Sequence, residues 1–150
     1  MSSNKRFRMT HQRSVILQEL RKTKTHPSAD EIYLKVRQVL PHISLGTVYR
    51  NLETLDKMGL IQKLELGGYQ KRFDGNPDKH YHISCIICNR IDDVPTDAIK
   101  KLEFSTEGIE GYTILGHTLH FIGICKQCSS SKDIKQNQIH KNIQFNKRLN

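Results

Sequence analysis

The stretch Ser44-Leu45-Gly46-Thr47-Val48-Tyr49-Arg50-Asn51-Leu52 decides the fold. Ser44 carries a hydroxyl of the kind that satisfies the unpaired amides at a helix start. Leu45, Val48, Leu52 and Leu55 follow at alternating spacings of three and four, the pattern that lines one helical face, and Gly59 supplies a stop. At about 100° per residue, Arg50 lies opposite that stripe. Thr47, Thr54 and Lys57 share the outer face, with Tyr49 and Asn51 on its flanks. The spacing therefore predicts a helix with a buried apolar seam and a polar, basic face left over for reading a partner.

Working outward toward the N-terminus, Ser28 and Glu31 have the spacing of a capping box, and Ala29, Ile32, Tyr33, Val36 and Leu40 recur at helical spacing until Pro41 ends the run. Before that, Val15, Ile16, Leu17 and Leu20 form a shorter apolar face after Thr10-His11-Gln12-Arg13, fading in Lys22-Thr23-Lys24-Thr25. In the other direction, Leu60 to Leu66 and Tyr69 to Asp74, joined by Gly67-Gly68, read as a two-stranded hairpin. Three short helices and a hairpin make a winged helix-turn-helix, whose last helix enters the major groove of double-stranded DNA.

Charge follows the same division. Residues 1–74 carry 14 Lys/Arg against 7 Asp/Glu, a net +7, while residues 75–128 carry 5 against 7, a net −2. The last 22 residues add 5 against 1, a net +4. A basic front half suits a phosphate backbone. The longest uncharged apolar stretch is only a few residues and Met1 to Arg6 lacks the apolar core of a signal peptide, so no membrane partner and a cytoplasmic location are expected.

Gly75-Asn76-Pro77-Asp78 is a turn-rich boundary. It divides a DNA-binding domain, residues 1–76, from a dimerisation and metal-binding domain, residues 77–128, with residues 129–150 as a polar, basic tail read as mobile. In the second domain His80 to Ser84, Ile91 to Val94, Tyr112 to Leu115 and Leu119 to Ile124 read as strands, with a helix from about Thr96 to Thr106. The class is α+β. The short sheet of the back domain offers an edge to a second copy.

Cys85-Ile86-Ile87-Cys88 and Cys125-Lys126-Gln127-Cys128 are paired knuckles, each at the end of a predicted strand. Disulfides are not expected in a reducing compartment, and four thiolates suit a closed tetrahedral zinc site. A redox dithiol needs only one such pair and a thioredoxin-like context that the chain lacks.

A second cluster is drawn from both domains. His80 and His82 are two apart on a strand and point to one face, with Asp74, His26 and Asp93 as further donors. If the five converge, three imidazoles and two carboxylates favour Fe(II) or Mn(II). His42, His117, His120 and His140 fall in a loop, beside or on strands, and in the tail, where an ordinary structural role suffices. A strand-borne His-x-His with carboxylates also occurs in metallohydrolases, but this chain has little length left to build a substrate pocket.

Thr10-x-Gln12-Arg13, His26-Pro27-Ser28-Ala29-Asp30-Glu31-Ile32-Tyr33, the Ser44 to Leu52 stretch, His80-Tyr81-His82 and the two cysteine pairs together resemble the ferric uptake regulator (Fur) family over about residues 10–128. The resemblance implies a homodimeric winged-helix repressor on a palindromic operator. It also implies structural zinc on Cys85, Cys88, Cys125 and Cys128, and a regulatory metal at the hinge.

Asp74 stands where iron-sensing members usually carry Glu, Tyr81 where many have Asp, and Ile124 where they often have His. The set His26, Asp74, His80, His82 and Asp93 is in this respect most similar to the peroxide-sensing (PerR) branch. That likeness implies oxidation of His26 or His80 by peroxide with Fe(II) bound. The alternative is an iron, manganese or zinc uptake regulator of the same family. DNA reading is expected to centre on Tyr49 and Arg50 with Thr47 beside them, and Arg13 and Lys71 on phosphates.

Overall fold

The computed structural model describes residues 7–66, 70–95, 97 and 111–130. The chain divides between Lys79 and His80 into two compact units.

The first unit is the winged helix-turn-helix. It contains α1 (His11–Arg21), α2 (Ala29–Val36), α3 (Leu45–Lys57), β1 (Gln62–Leu64) and β2 (Arg72–Asp74). Each helix starts on a hydroxyl: Thr10, Ser28 and Ser44 accept from the amides of Arg13, Glu31 and Thr47. At Ser28 the capping box is complete, with the Ser28 amide donating back to the Glu31 carboxylate at 2.6 Å. The end of α3 closes with Gly59 at φ 69° and the Leu60 amide reaching back to the Leu55 carbonyl at 3.1 Å. A side chain with a Cβ adopts that φ only with strain, so the glycine fixes where the chain leaves the reading helix.

Ile16 and Leu20 of α1, Ile32 and Val36 of α2, and Val48, Leu52 and Leu55 of α3 are buried together around Phe73 of β2. The hairpin is thus anchored into the helical core by its own side chain rather than resting on the surface. In register, Gln62 faces Asp74, Lys63 faces Phe73 and Leu64 faces Arg72, antiparallel. The other edge of β2 also finds partners: the Phe73 amide donates to the Pro27 carbonyl at 2.9 Å, and Ser28 bridges Arg72. The strands are shorter than the sequence pattern suggests, since Leu60 is still engaged in capping α3. Gly67, Gly68 and Tyr69 lie outside the described residues.

The second unit is built on β3 (His82–Cys85), β4 (Ile91–Asp93) and β5 (His120–Gly123), followed by α4 (Lys126–Ser129). The sheet order is β4-β3-β5. In the antiparallel β3–β4 pair, His82 faces Asp93 and Ser84 faces Ile91. In the parallel β3–β5 pair, His82 faces His120 and Cys85 faces Gly123.

Two expectations are corrected here. Tyr112 to Leu115 is not a strand: Tyr112 is 78% and Leu115 94% exposed, and no ladder reaches them among the described residues. Extended backbone without a neighbour to take its amides and carbonyls has nothing to hold it as a strand. Ser129, expected to open a tail, instead ends α4. The helix expected from Thr96 to Thr106 lies, apart from Asp97, outside the described residues, as does the chain from residue 131. Among the described residues, no helix is long and apolar enough to cross a membrane.

Candidate functional site

The cysteine cluster lies wholly in the second unit. Cys85 ends β3 and Cys88 sits in the turn that follows, closed by the Asn89 amide on the Cys85 carbonyl at 2.9 Å with Asn89 at φ 56°. Asparagine tolerates that left-handed conformation better than most residues with a Cβ. Cys125 is the N-cap of α4 and Cys128 lies within it, so the helix start aims its own amide at sulfur: Cys128 N–H donates to Cys125 Sγ at 3.5 Å. The parallel pairing of Cys85 with Gly123 brings the knuckles together, and Cys125 N–H donates to Cys85 Sγ at 3.3 Å.

The four sulfurs lie within 4.8 Å of one another and all are free thiols. Cys88 and Cys125 are 3.9 Å apart at sulfur, near the edge of about 3.8 Å that a tetrahedron with ~2.3 Å zinc–sulfur bonds requires. Burial by itself would raise the Cys85 thiol, but amide hydrogen bonds from Cys125, Cys88 and Ile87 outweigh it and bring it down to about 6. Cys128 is pushed up to about 12, first by its hydrogen bond with Cys125, then by burial and by the other sulfurs. The Cys85 thiolate is therefore ready to receive a cation, which must displace protons from Cys88 and Cys128. This donor set fits tetrahedral zinc.

The imidazole donors fall into two groups, one in each unit. In the first unit, His26 precedes α2 and Asp74 ends β2. Both are buried, with His26 Nδ1 4.0 Å from Asp74 Oδ1. The same carboxylate oxygen accepts the Asn76 amide at 2.8 Å, which pins its orientation. Gly75, between them, lies so close to α1 that an added Cβ would stand 3.1 Å from the Arg21 Cα.

In the second unit, His80 Nε2 and His82 Nε2 lie 3.0 and 3.6 Å from one oxygen of Asp93, and their rings are 4.4 Å apart. The register that sets His82 opposite Asp93 makes this triad. Two imidazoles converging on one carboxylate oxygen form a mixed nitrogen and oxygen donor set of iron or manganese type.

One histidine here was not singled out by sequence. His120 pairs with His82 across the parallel ladder, and its buried Nε2 has no hydrogen-bond partner among the described residues. Burial, then the neighbouring His82, lowers its pKa. Its proximity follows from strand register, which the linear pattern does not encode. Tyr81 hydrogen-bonds His117 through its hydroxyl, and the two rings stack.

On α3, Arg50 is exposed and its guanidinium donates to Thr47 Oγ1 at 3.2 Å, while Thr47 Oγ1 also meets Ser44 Oγ at 2.9 Å. Tyr49 packs edge-on against Phe73 with ring centroids 6.4 Å apart. Asn51, read from sequence as a flank, is buried. Arg13 is half-buried and donates from Nε to Asn51 Oδ1 at 3.1 Å. Lys71 stands 3.4 Å from Glu65 and 3.9 Å from Glu53, and Lys63 shares both carboxylates at 3.8 and 3.2 Å.

Residues 4–122 match the sequence profile of the Ferric uptake regulator family. The chain is 36% identical over 122 residues to a peroxide-responsive repressor PerR of Staphylococcus aureus (strain Mu50 / ATCC 700699), covering 81% of this chain and 82% of that one. Its fold is similar to the ferric uptake regulator from Francisella tularensis with iron, at a TM-score of 0.68 and 27% identity over 85% of this chain and 98% of that one. It is likewise similar to a Campylobacter jejuni peroxide stress regulator, at a TM-score of 0.60 and 27% identity over 78% and 88% of the two chains.

Proposed function

Because this chain belongs to the ferric uptake regulator family, we propose that it is a metal-dependent, DNA-binding transcriptional repressor working as a homodimer in the cytoplasm, and that it responds to peroxide. The observation that carries the metal dependence is the triad in which His80 and His82 converge on one oxygen of Asp93. His26 and Asp74, the buried pair of the first unit, complete the proposed regulatory set. An ion held by all five residues would tie the reading unit to the second unit and so bias DNA binding.

The residues do separate work in this reading. Arg50 and Tyr49 touch base edges, with Thr47 holding the Arg50 guanidinium. Cys85, Cys88, Cys125 and Cys128 hold structural zinc and so fold the end of the second unit. Asp93 orients both imidazoles of the triad, and the Asn76 amide orients Asp74. Bound ferrous iron would supply the reduction of peroxide beside these imidazoles. The peroxide assignment is supported by the relative at 36% identity.

The likeness to the iron-bound Francisella tularensis structure favours a second reading, an iron-responsive regulator indifferent to peroxide. Metal analysis coupled to DNA binding separates the two. The proposal expects one zinc per chain in all active preparations, DNA binding with either Fe(II) or Mn(II), and loss of binding after peroxide only with Fe(II). Binding that survives peroxide with both metals selects the second reading, and binding that needs no metal overturns both.

A further inference from the structure

Arg13, whose charge suggests a phosphate contact, is turned inward. Two of its three guanidinium nitrogens are engaged within the first unit: Nε donates to Asn51 Oδ1 at 3.1 Å, and Nη1 donates to the carbonyl of Arg8 in the arm that precedes α1. The Asn51 amide is satisfied at both ends, because its Nδ2 donates to the Thr47 carbonyl one turn earlier at 3.0 Å. Arginine has no acceptor, so Arg13 also fixes which way the amide faces.

From Thr47 the connections run outward to the exposed face. Its Oγ1 accepts from Arg50 and meets Ser44 at the helix cap. A polar chain thus leads from α1 through the buried Asn51 to the residue placed to read bases. A polar pair of this kind adds little net stability, since it only replaces hydrogen bonds to water. Its geometry, however, is specific: the planar guanidinium fork holds the arm on one side and the reading helix on the other.

We infer that Arg13 is a positioning residue for base reading, acting through Asn51 on the rotation of α3, and is not a phosphate contact. The inference rests on the DNA-binding reading above. It assigns a specificity role to a residue that does not itself touch the bases.

The test uses the full-length, zinc-loaded protein with Mn(II) and two probes, the duplex that the wild type enriches from a random-sequence library and a shuffled duplex of the same composition. Arg13→Lys keeps the charge and removes the fork. It is expected to lose about tenfold or more of the preference for the enriched duplex, with affinity for the shuffled duplex, the salt slope and Tm near wild type. Asn51→Leu is expected to lose the same preference, and the double variant to be no worse than either single one.

Should Arg13→Lys read the enriched duplex as the wild type does while Arg13→Gln weakens both duplexes alike and lowers the salt slope by about one, Arg13 is a phosphate contact and the inference is overturned. Parallel loss on both duplexes together with a fallen Tm in Arg13→Lys also overturns it, since that marks a purely structural residue. A wild type that enriches no duplex overturns the DNA-binding reading itself, and this inference with it. That outcome is visible before any variant is compared.

Discussion

The guanidinium of Arg72 donates to the backbone carbonyl of His26 at 3.0 Å, joining the wing strand to the residue that opens the proposed regulatory site. The same nitrogen pairs with Glu31 at 3.1 Å, and Glu31 is the reciprocal partner in the Ser28 capping box. Wing, capping box and proposed metal donor are therefore one hydrogen-bonded unit. Arg72→Ala should cost about 1 to 3 kcal/mol of stability and weaken Mn(II) binding, because the His26 backbone loses its tether. Denaturant titration with and without Mn(II) checks this. An unchanged Mn(II) affinity in a destabilised variant would separate the wing from the metal site.

Glu31 gives that unit a pH signature. Burial alone would raise its carboxyl, but the Ser28 amide and hydroxyl and then Arg72 outweigh it and hold it below its ordinary value of 4.5. A depressed carboxylate contributes stability above its unfolded pKa and loses it as pH falls through the folded one. Glu31→Gln should therefore be less stable than wild type near neutral pH, by an amount reduced by solvent screening, with the gap closing as pH falls below about 4.5. A gap that persists undiminished in acid would mean that shape, not charge, sets the contribution.

The wing lysines are more constrained than their sequence suggests. Lys63 and Lys71 share the carboxylates of Glu53 on α3 and of Glu65 beside β1, so four charges cancel locally. Lys71→Ala should change the salt slope of DNA binding by less than one, because part of that charge is already answered within the protein. Glu65→Gln should raise affinity for any duplex and steepen the slope. Salt titrations of the two variants on a shuffled duplex decide it, and a full unit lost in Lys71→Ala would show that DNA displaces the carboxylates.

How much of this was legible depends on whether the signal is local. The α3 seam of Val48, Leu52 and Leu55 and the caps at Ser28 and Ser44 came straight from spacing, since helix periodicity is written in near neighbours. The cysteine pairs were legible for the same reason. Asn51 was not, because the partner of its amide oxygen, Arg13, arrives from another helix. His120 was passed over because parallel pairing with His82 is a matter of register across residues far apart in sequence. Tyr112 to Leu115 has strand composition, and composition says nothing of whether a neighbouring strand exists.

The thiol ladder predicts how zinc binds. Cys85 sits at about 6, while burial raises Cys88 and hydrogen bonding raises Cys128 to about 12, so loading near neutral pH must release protons from Cys88 and Cys128. Zinc affinity should therefore rise with pH from about 6 upward. Chelator competition across pH measures it, and a flat profile would contradict the thiolate assignment. Cys85→Ser should lose zinc and the proposed dimer together. A variant that stayed dimeric and zinc-loaded would show that the cluster is not the staple.

The peroxide response is the narrowest of these predictions and turns on Asp74. Its carboxylate is short, buried and fixed by the Asn76 amide at 2.8 Å, with His26 Nδ1 4.0 Å away. Ferrous iron reduces peroxide readily and manganese does so far less, so the chemistry should depend on which metal is loaded. Mass spectrometry after brief peroxide treatment should find one added oxygen on His26 or His80 in the Fe(II) protein and none in the Mn(II) protein, with DNA affinity falling in parallel. Oxidation removes a nitrogen donor, and the DNA-competent population falls with it. Asp74→Glu lengthens the side chain, breaks the tight turn bond to Asn76 and moves the carboxylate against His26. It should keep iron-dependent DNA binding and lose the oxidation. Intact histidines and undiminished DNA binding in peroxide-treated Fe(II) wild type would leave a regulator that senses metal alone.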